Sequence, residues 1–207
     1  MLKLSILFIS SLLLLLPQSA HAQTPAAISG LQVIAERQYA DETRGPIDTS
    51  SDGVFLASAR VYLFDSPEDA ESTWDTLAAA ESIERDLSEE DDTVSYEKFE
   101  VEDLGDRAMV VSLSAEISEN ETGAFRTMIV QQGEMIVTVT VIAGSMGAAE
   151  IADDIAAAMI EREPGDDAAV YDGNGSSSGG VWEVFLPSDA DELGDLKSYA
   201  DKETRPA

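Results

Sequence analysis

Phe125-Arg126-Thr127-Met128-Ile129-Val130-Gln131, then Gln132-Gly133-Glu134, then Met135-Ile136-Val137-Thr138-Val139-Thr140-Val141-Ile142 is the stretch from which the fold can be read. Two apolar runs rich in β-branched residues are separated by a short, glycine-centred connection, which can join only antiparallel neighbours. Working back along the chain, Arg107 to Ile117 places Met109, Val111, Leu113 and Ala115 on one face, and the polar turn Ser118 to Gly123 leads into Phe125. Val94 to Val101 alternates in the same way and reaches Arg107 through the turn Asp103-Leu104-Gly105-Asp106. The centre of the chain is therefore a series of hairpins.

The flanks add two strands and two helices. Leu31 to Glu36 alternates as a first strand, Asp41 to Gly53 is a turn-rich loop, and Val54 to Phe64 is a strand with Phe55, Ala57, Ala59, Val61 and Leu63 on one face. Ser66-Pro67-Glu68-Asp69 opens a helix: serine caps, proline suits the first turn, and the acids complement the positive end of the helix dipole. Its spacing carries it to about Leu87, with Trp74 and Leu77 directed at the core. Ala148 to Arg162 is a second helix, with Ile151, Ile155 and Met159 as its apolar stripe and Asp153 and Asp154 outward, stopped by Pro164-Gly165. The expected class is α+β, an antiparallel sheet of five or six strands with two helices packed on one face.

Residues 1–22 read as a secretory leader. Lys3 precedes the apolar run Leu4 to Leu16, Pro17 breaks it, and Ala20-His21-Ala22 has the small-x-small form that signal peptidase cuts after Ala22. The organisation expected is a leader (1–22), a lead-in (23–30), the α+β domain (31–165), a Gly/Ser-rich linker (166–180) and a short hook with an acidic tail (181–207). Val181 to Leu186, with Trp182, supplies the hook. Tyr39-Ala40-Asp41-Glu42-Thr43-Arg44 is echoed by Tyr199 to Arg205 with one inserted lysine, a coincidence expected of an Ala/Asp/Glu-rich chain.

Charge narrows the function. The chain of 207 residues has 41 acidic against 12 basic side chains, a net charge of −29, with no cysteine and a single histidine, His21, that leaves with the leader. So acidic a surface repels phosphate backbones and anionic headgroups, which argues against nucleic acid and against membrane insertion once the leader is gone. Without cysteine, folding outside the cytoplasm draws on packing alone.

The capped helix from Ser66 to Ala70 with Trp74, the turn Leu104-Gly105-Asp106-Arg107, and Gln132-Gly133-Glu134 followed by Val137 to Val141 resemble the secreted bacterial PsbP-like and LpqN-type α+β modules over about Leu31 to Arg162. That resemblance implies a non-enzymatic extracytoplasmic binding, sensing or assembly module, and it names no ligand.

Catalytic patterns are thin. Ala143-Gly144-Ser145-Met146-Gly147 approximates a nucleophile elbow, but the histidine base is missing and tight hairpins replace the parallel sheet such an elbow needs, so Ser145 reads as a helix cap. Ser95-Tyr96-Glu97-Lys98 fits S-x-x-K, yet a strand there sends Ser95 and Lys98 to opposite faces. No catalytic residue and no organic cofactor is assigned. Calcium is the one metal whose hard oxygen ligands the chain could supply, from Asp48 and Asp52 in one loop, Glu89, Glu90, Asp91 and Asp92 in another and Asp166-Asp167 with Asp172 in a third, although none of these loops has EF-hand spacing. The expectation is a secreted or periplasmic binding or sensing module for an unknown protein or small-molecule ligand, working through its sheet face or helix-free edge. The alternatives are a calcium-dependent surface or matrix protein and, behind it, an atypical hydrolase.

Overall fold

The computed structural model describes residues 29–41, 53–79, 94–118, 121–161 and 196–204. Strands β1 (Leu31–Asp41) and β2 (Val54–Phe64) are followed by helix α1 (Pro67–Ala79) and strands β3 (Val94–Val101), β4 (Arg107–Ser118), β5 (Glu121–Gln132) and β6 (Met135–Ala143). A four-residue turn of helix, α2 (Met146–Ala149), leads into α3 (Ile151–Glu161), and β7 (Leu196–Thr204) closes the order. All seven strands form one antiparallel sheet in the order β3-β4-β5-β6-β2-β1-β7. The hairpins β3-β4-β5-β6 are those read from the sequence, and β6 then pairs with β2 at the centre of the sheet.

The helix starts follow the capping chemistry. Ser66 Oγ accepts the Asp69 N–H at 3.2 Å and donates to Asp69 Oδ2 at 2.7 Å, so the cap and the acid at the third helical position satisfy each other. Ser145 Oγ accepts the Ala148 N–H at 3.3 Å, which makes it the cap of α2. The helix expected from Ala148 is divided at Glu150 into α2 and α3.

The helices were expected on one face of the sheet; the structure divides them between both. Ile155, Ala156 and Met159 of α3 pack with Ala59, Val61, Val110, Val130, Val137 and Val139. Ala70 and Trp74 of α1 pack with Tyr62, Phe64, Met109, Val111, Ile129 and Ile136. Neighbouring residues in a strand point to opposite faces, so Val61 and Tyr62, Val110 and Met109, Val137 and Ile136 mark two buried sides. The reason is compositional: β4 and β6 are apolar at consecutive positions, the pattern of a sheet covered above and below. Small side chains at Ala35, Ala57, Ala59 and Ala108, all buried, make room for α3 on its side.

The acidic tail holds an unexpected element. Residues 196–204 form β7 along the outer side of β1, with Glu36 opposite Lys202 and Arg37 opposite Asp201. The described parts of the echoed segments, Tyr39 to Asp41 and Tyr199 to Thr204, thus lie in adjacent strands, but antiparallel pairing sets Tyr39 against Ser198 rather than against its counterpart Tyr199. Trp182, Leu77's surroundings and the leader lie outside the description.

Candidate functional site

The turn between β3 and β4 is held in an unusual backbone shape. Asp103 (φ 62°) and Gly105 (φ 63°) both adopt the left-handed region. Glycine is required at 105: a Cβ there would stand 2.6 Å from the Gln131 carbonyl oxygen and 2.7 Å from Val130 Cγ1. This closeness lets the Asp106 N–H reach the Gln131 carbonyl at 2.8 Å, while the Asp106 carboxylate accepts the Gly133 N–H at 2.6 Å. The β3–β4 turn is therefore clamped to the β5–β6 turn beside it.

From this clamp β4 begins with Arg107, whose guanidinium carbon lies 4.8 Å from the centre of the Trp74 ring. Arg107 Nε donates to Gln131 Oε1 at 2.8 Å, Nη2 donates to the Glu71 carbonyl at 3.4 Å, and the Glu71 carboxylate stands 4.0 Å away. One arginine thus ties α1 to the sheet through an aromatic face and two hydrogen bonds.

Between α1 and the turn opens a cleft of about 500 Å³. Trp74, Val101, Leu104 and Met109 give it apolar walls, and its charged lining is Lys98, Glu100, Glu102, Asp103, Asp106 and Arg107. Glu100, Glu102 and Asp103 are exposed at the rim. A concavity of this size with an apolar floor and a few fixed polar groups has the dimensions of a small-ligand site.

A second, smaller site lies on the same face of the sheet. Glu36 and Arg60, directly opposite in the β1–β2 register, meet at 3.1 Å with side chains 10% and 11% exposed. Glu36 also accepts from Gln38 Nε2 at 2.9 Å and from Ser58 Oγ at 3.2 Å. Burial pushes the Glu36 carboxyl up, but the Arg60 charge and the hydrogen bonds from Gln38, Arg60 and Ser58 outweigh it and hold it below the usual carboxylate range. A cavity of about 50 Å³ beside the pair, lined also by Thr138 and Thr140, is room for ordered water. A carboxylate fixed as an anion is a poor proton donor near neutral pH, so this cluster reads as a buried polar clamp rather than an acid–base centre.

On the other face Arg126 grips Asp153 with both ends of its fork, Nε to Oδ1 at 2.8 Å and Nη2 to Oδ2 at 2.6 Å, and donates to Ser112 Oγ at 2.9 Å. Asp153, expected to face water, is the anchor that fastens α3 to β5. The hydrogen bonds and charge of Asp153 push the Arg126 guanidinium up against the opposing effect of burial.

The calcium candidates Asp48, Asp52, Glu89, Glu90, Asp91 and Asp92, and the loop with Asp166, Asp167 and Asp172, lie outside the described residues. Among the described residues no group of three or more His, Cys, Asp or Glu is arranged to hold a metal, and no helix is long and apolar enough to cross a membrane. Ser95 and Lys98 sit on strand β3, where residues three apart point to opposite faces. Glu100 and the Glu36–Arg60 pair were not singled out by sequence, Lys98 drew notice only through the S-x-x-K match, and Arg107 only as the end of a turn. The available signal was a charged residue at a core-facing strand position, Arg60 between Ala59 and Val61.

No family model matches the chain, and neither the curated proteins nor the solved structures contain a match to it.

Proposed function

We propose that this chain is a non-enzymatic extracytoplasmic binding or sensing module whose ligand site is the cleft between α1 and the β3–β4 turn. The observation that carries the reading is that cleft, about 500 Å³ with Trp74 and Met109 in its walls. Its walls are made rigid from three sides, by the Asp106–Gly133 clamp, the close approach of Gly105 and the Arg107–Trp74 stack. A preformed site of that kind loses little ordering entropy when it binds. The secretory leader read in residues 1–22 and the resemblance to PsbP-like and LpqN-type modules support a location and role outside the cytoplasm.

The commitments of the polar side chains support binding over turnover. Glu36 and Asp153 are each committed to an arginine, and Ser145 to capping α2. The test is a small-molecule screen by thermal shift on residues 23–207, with hits followed by NMR. A ligand that raises stability and moves the Trp74 indole and Arg107 guanidinium resonances is the expected result. Hits that shift only resonances remote from the cleft, or sustained turnover of esters or glycosides, would reject the proposal.

A further inference from the structure

Resting on the cleft as the ligand site, we infer that its ligand is an organic cation: one or more ammonium or guanidinium groups carried on an aliphatic stem. Three observations converge on this class. Four of the six charged residues lining the cleft are acids, and Glu100, Glu102 and Asp103 present theirs at the exposed rim. The two bases, Lys98 and Arg107, leave the lining with a net charge of two negatives, four acids less two bases, and Arg107 is turned toward Trp74, Gln131 and Glu71. An anion would therefore meet both this rim and the field of a molecule with net charge −29.

Size separates an organic cation from a metal ion. The cleft, at about 500 Å³, far exceeds what a bare ion fills, and the described carboxylates do not converge as a chelating group. Spread carboxylates around an apolar trough of Val101, Leu104 and Met109 instead suit separated positive charges joined by methylenes. The stem buries against the trough while its charged groups remain at the wet rim, the division that long basic side chains show on protein surfaces.

The test uses spermidine as the probe, with the Trp74 indole resonance read in a W182F background. Saturable binding is expected, weakening as ionic strength rises. The triple variant E100Q/E102Q/D103N should weaken it about tenfold, which three exposed charge contacts of ordinary strength supply together. Asn at 103 keeps the left-handed backbone accessible. The control triple E150Q/D154N/E161Q removes the same charge from the opposite face of the sheet and should leave affinity within a factor of two or so. Equal weakening by both triples, or equal competition by calcium chloride at matched charge, overturns the inference, since the attraction is then only the acidic atmosphere. If neutral fragments move the Trp74 indole while spermidine does not, the cationic class falls and the cleft stands as a site. If neither moves it, both fall.

Discussion

Replacing Glu36 with glutamine removes one negative charge from a pair that is almost wholly out of water. The Glu36 and Arg60 side chains are 10% and 11% exposed and meet at 3.1 Å. In the variant the amide can still occupy the site, but Arg60 keeps its charge and loses its counterion. Breaking a buried pair from one side costs about 3–5 kcal/mol, because the remaining charge is left without compensation. Retained hydrogen bonds to an isosteric amide place E36Q at the lower end, about 3 kcal/mol. The double variant E36Q/R60M removes the orphaned charge and leaves an apolar stem in its place, so it should recover most of the loss and come within about 1 kcal/mol of the parent. Urea unfolding of the parent, both singles and the double closes the cycle, with m-values checked for constancy. A loss below about 0.5 kcal/mol in E36Q, the size of an ordinary surface change, would refute the argument that this pair is a buried clamp. So would a double variant no more stable than the singles.

Three other outcomes follow from the same geometry. Because the folded Glu36 carboxyl is held below its unfolded value, its contribution is present above the unfolded carboxylate range and is lost as pH falls through the lower folded value; acid titration of stability should show a proton-uptake step there that is absent in E36Q. Gly105→Ala meets both a left-handed backbone and the Gln131 carbonyl 2.6 Å away, whereas Gly133→Ala at φ 56° meets open space; chemical unfolding should show about 1 kcal/mol lost at Gly133 and clearly more at Gly105. Met159→Ala and Trp74→Ala empty the two opposite sides of the sheet, and each should destabilise by about 2–5 kcal/mol in thermal or urea unfolding; if either is silent, that face is not a core.

How far the sequence could be read depends on whether the deciding signal is local. The β5–β6 hairpin was legible because Gln132-Gly133-Glu134 is too short to do anything but reverse the chain, and the strand limits Val54–Phe64 and Val94–Val101 fell where the alternation placed them. Ser66 and Ser145 were legible as caps because capping is settled within three residues. The side of the sheet that each helix covers is set by pairings distant in sequence, and reading one apolar face per strand hid the second. Ala108-Met109-Val110-Val111 carries the missed signal: four consecutive apolar residues cannot all face one core, and all four are buried. Strand β7 was illegible for a related reason, since Leu196–Thr204 is too polar to announce itself and takes its strand form from pairing with β1.

The same two-sidedness explains where a ligand site can exist. On the face under α3, Ala59, Val61, Val110, Val130, Val137 and Val139 are closed by Ile155 and Met159, and Arg126 fastens the helix down through Asp153. On the opposite face α1 reaches the sheet with Ala70 and Trp74. The β3–β4 turn is held to the β5–β6 turn rather than to α1, through Asp106, Gly105 and Gln131. The gap between helix and turn is thus bounded by two independently anchored walls, and Arg107 spans them by donating to Gln131 on one side and lying over Trp74 on the other. Removing that guanidinium would take away the direct link between the two walls, while the packing of α1 on the sheet and the hydrogen bonds between the two turns stay in place. The cleft is in this sense a consequence of sheet geometry: four acids gather at its edge because the turn that carries three of them projects past the end of the helix-covered sheet, where carboxylates stay hydrated.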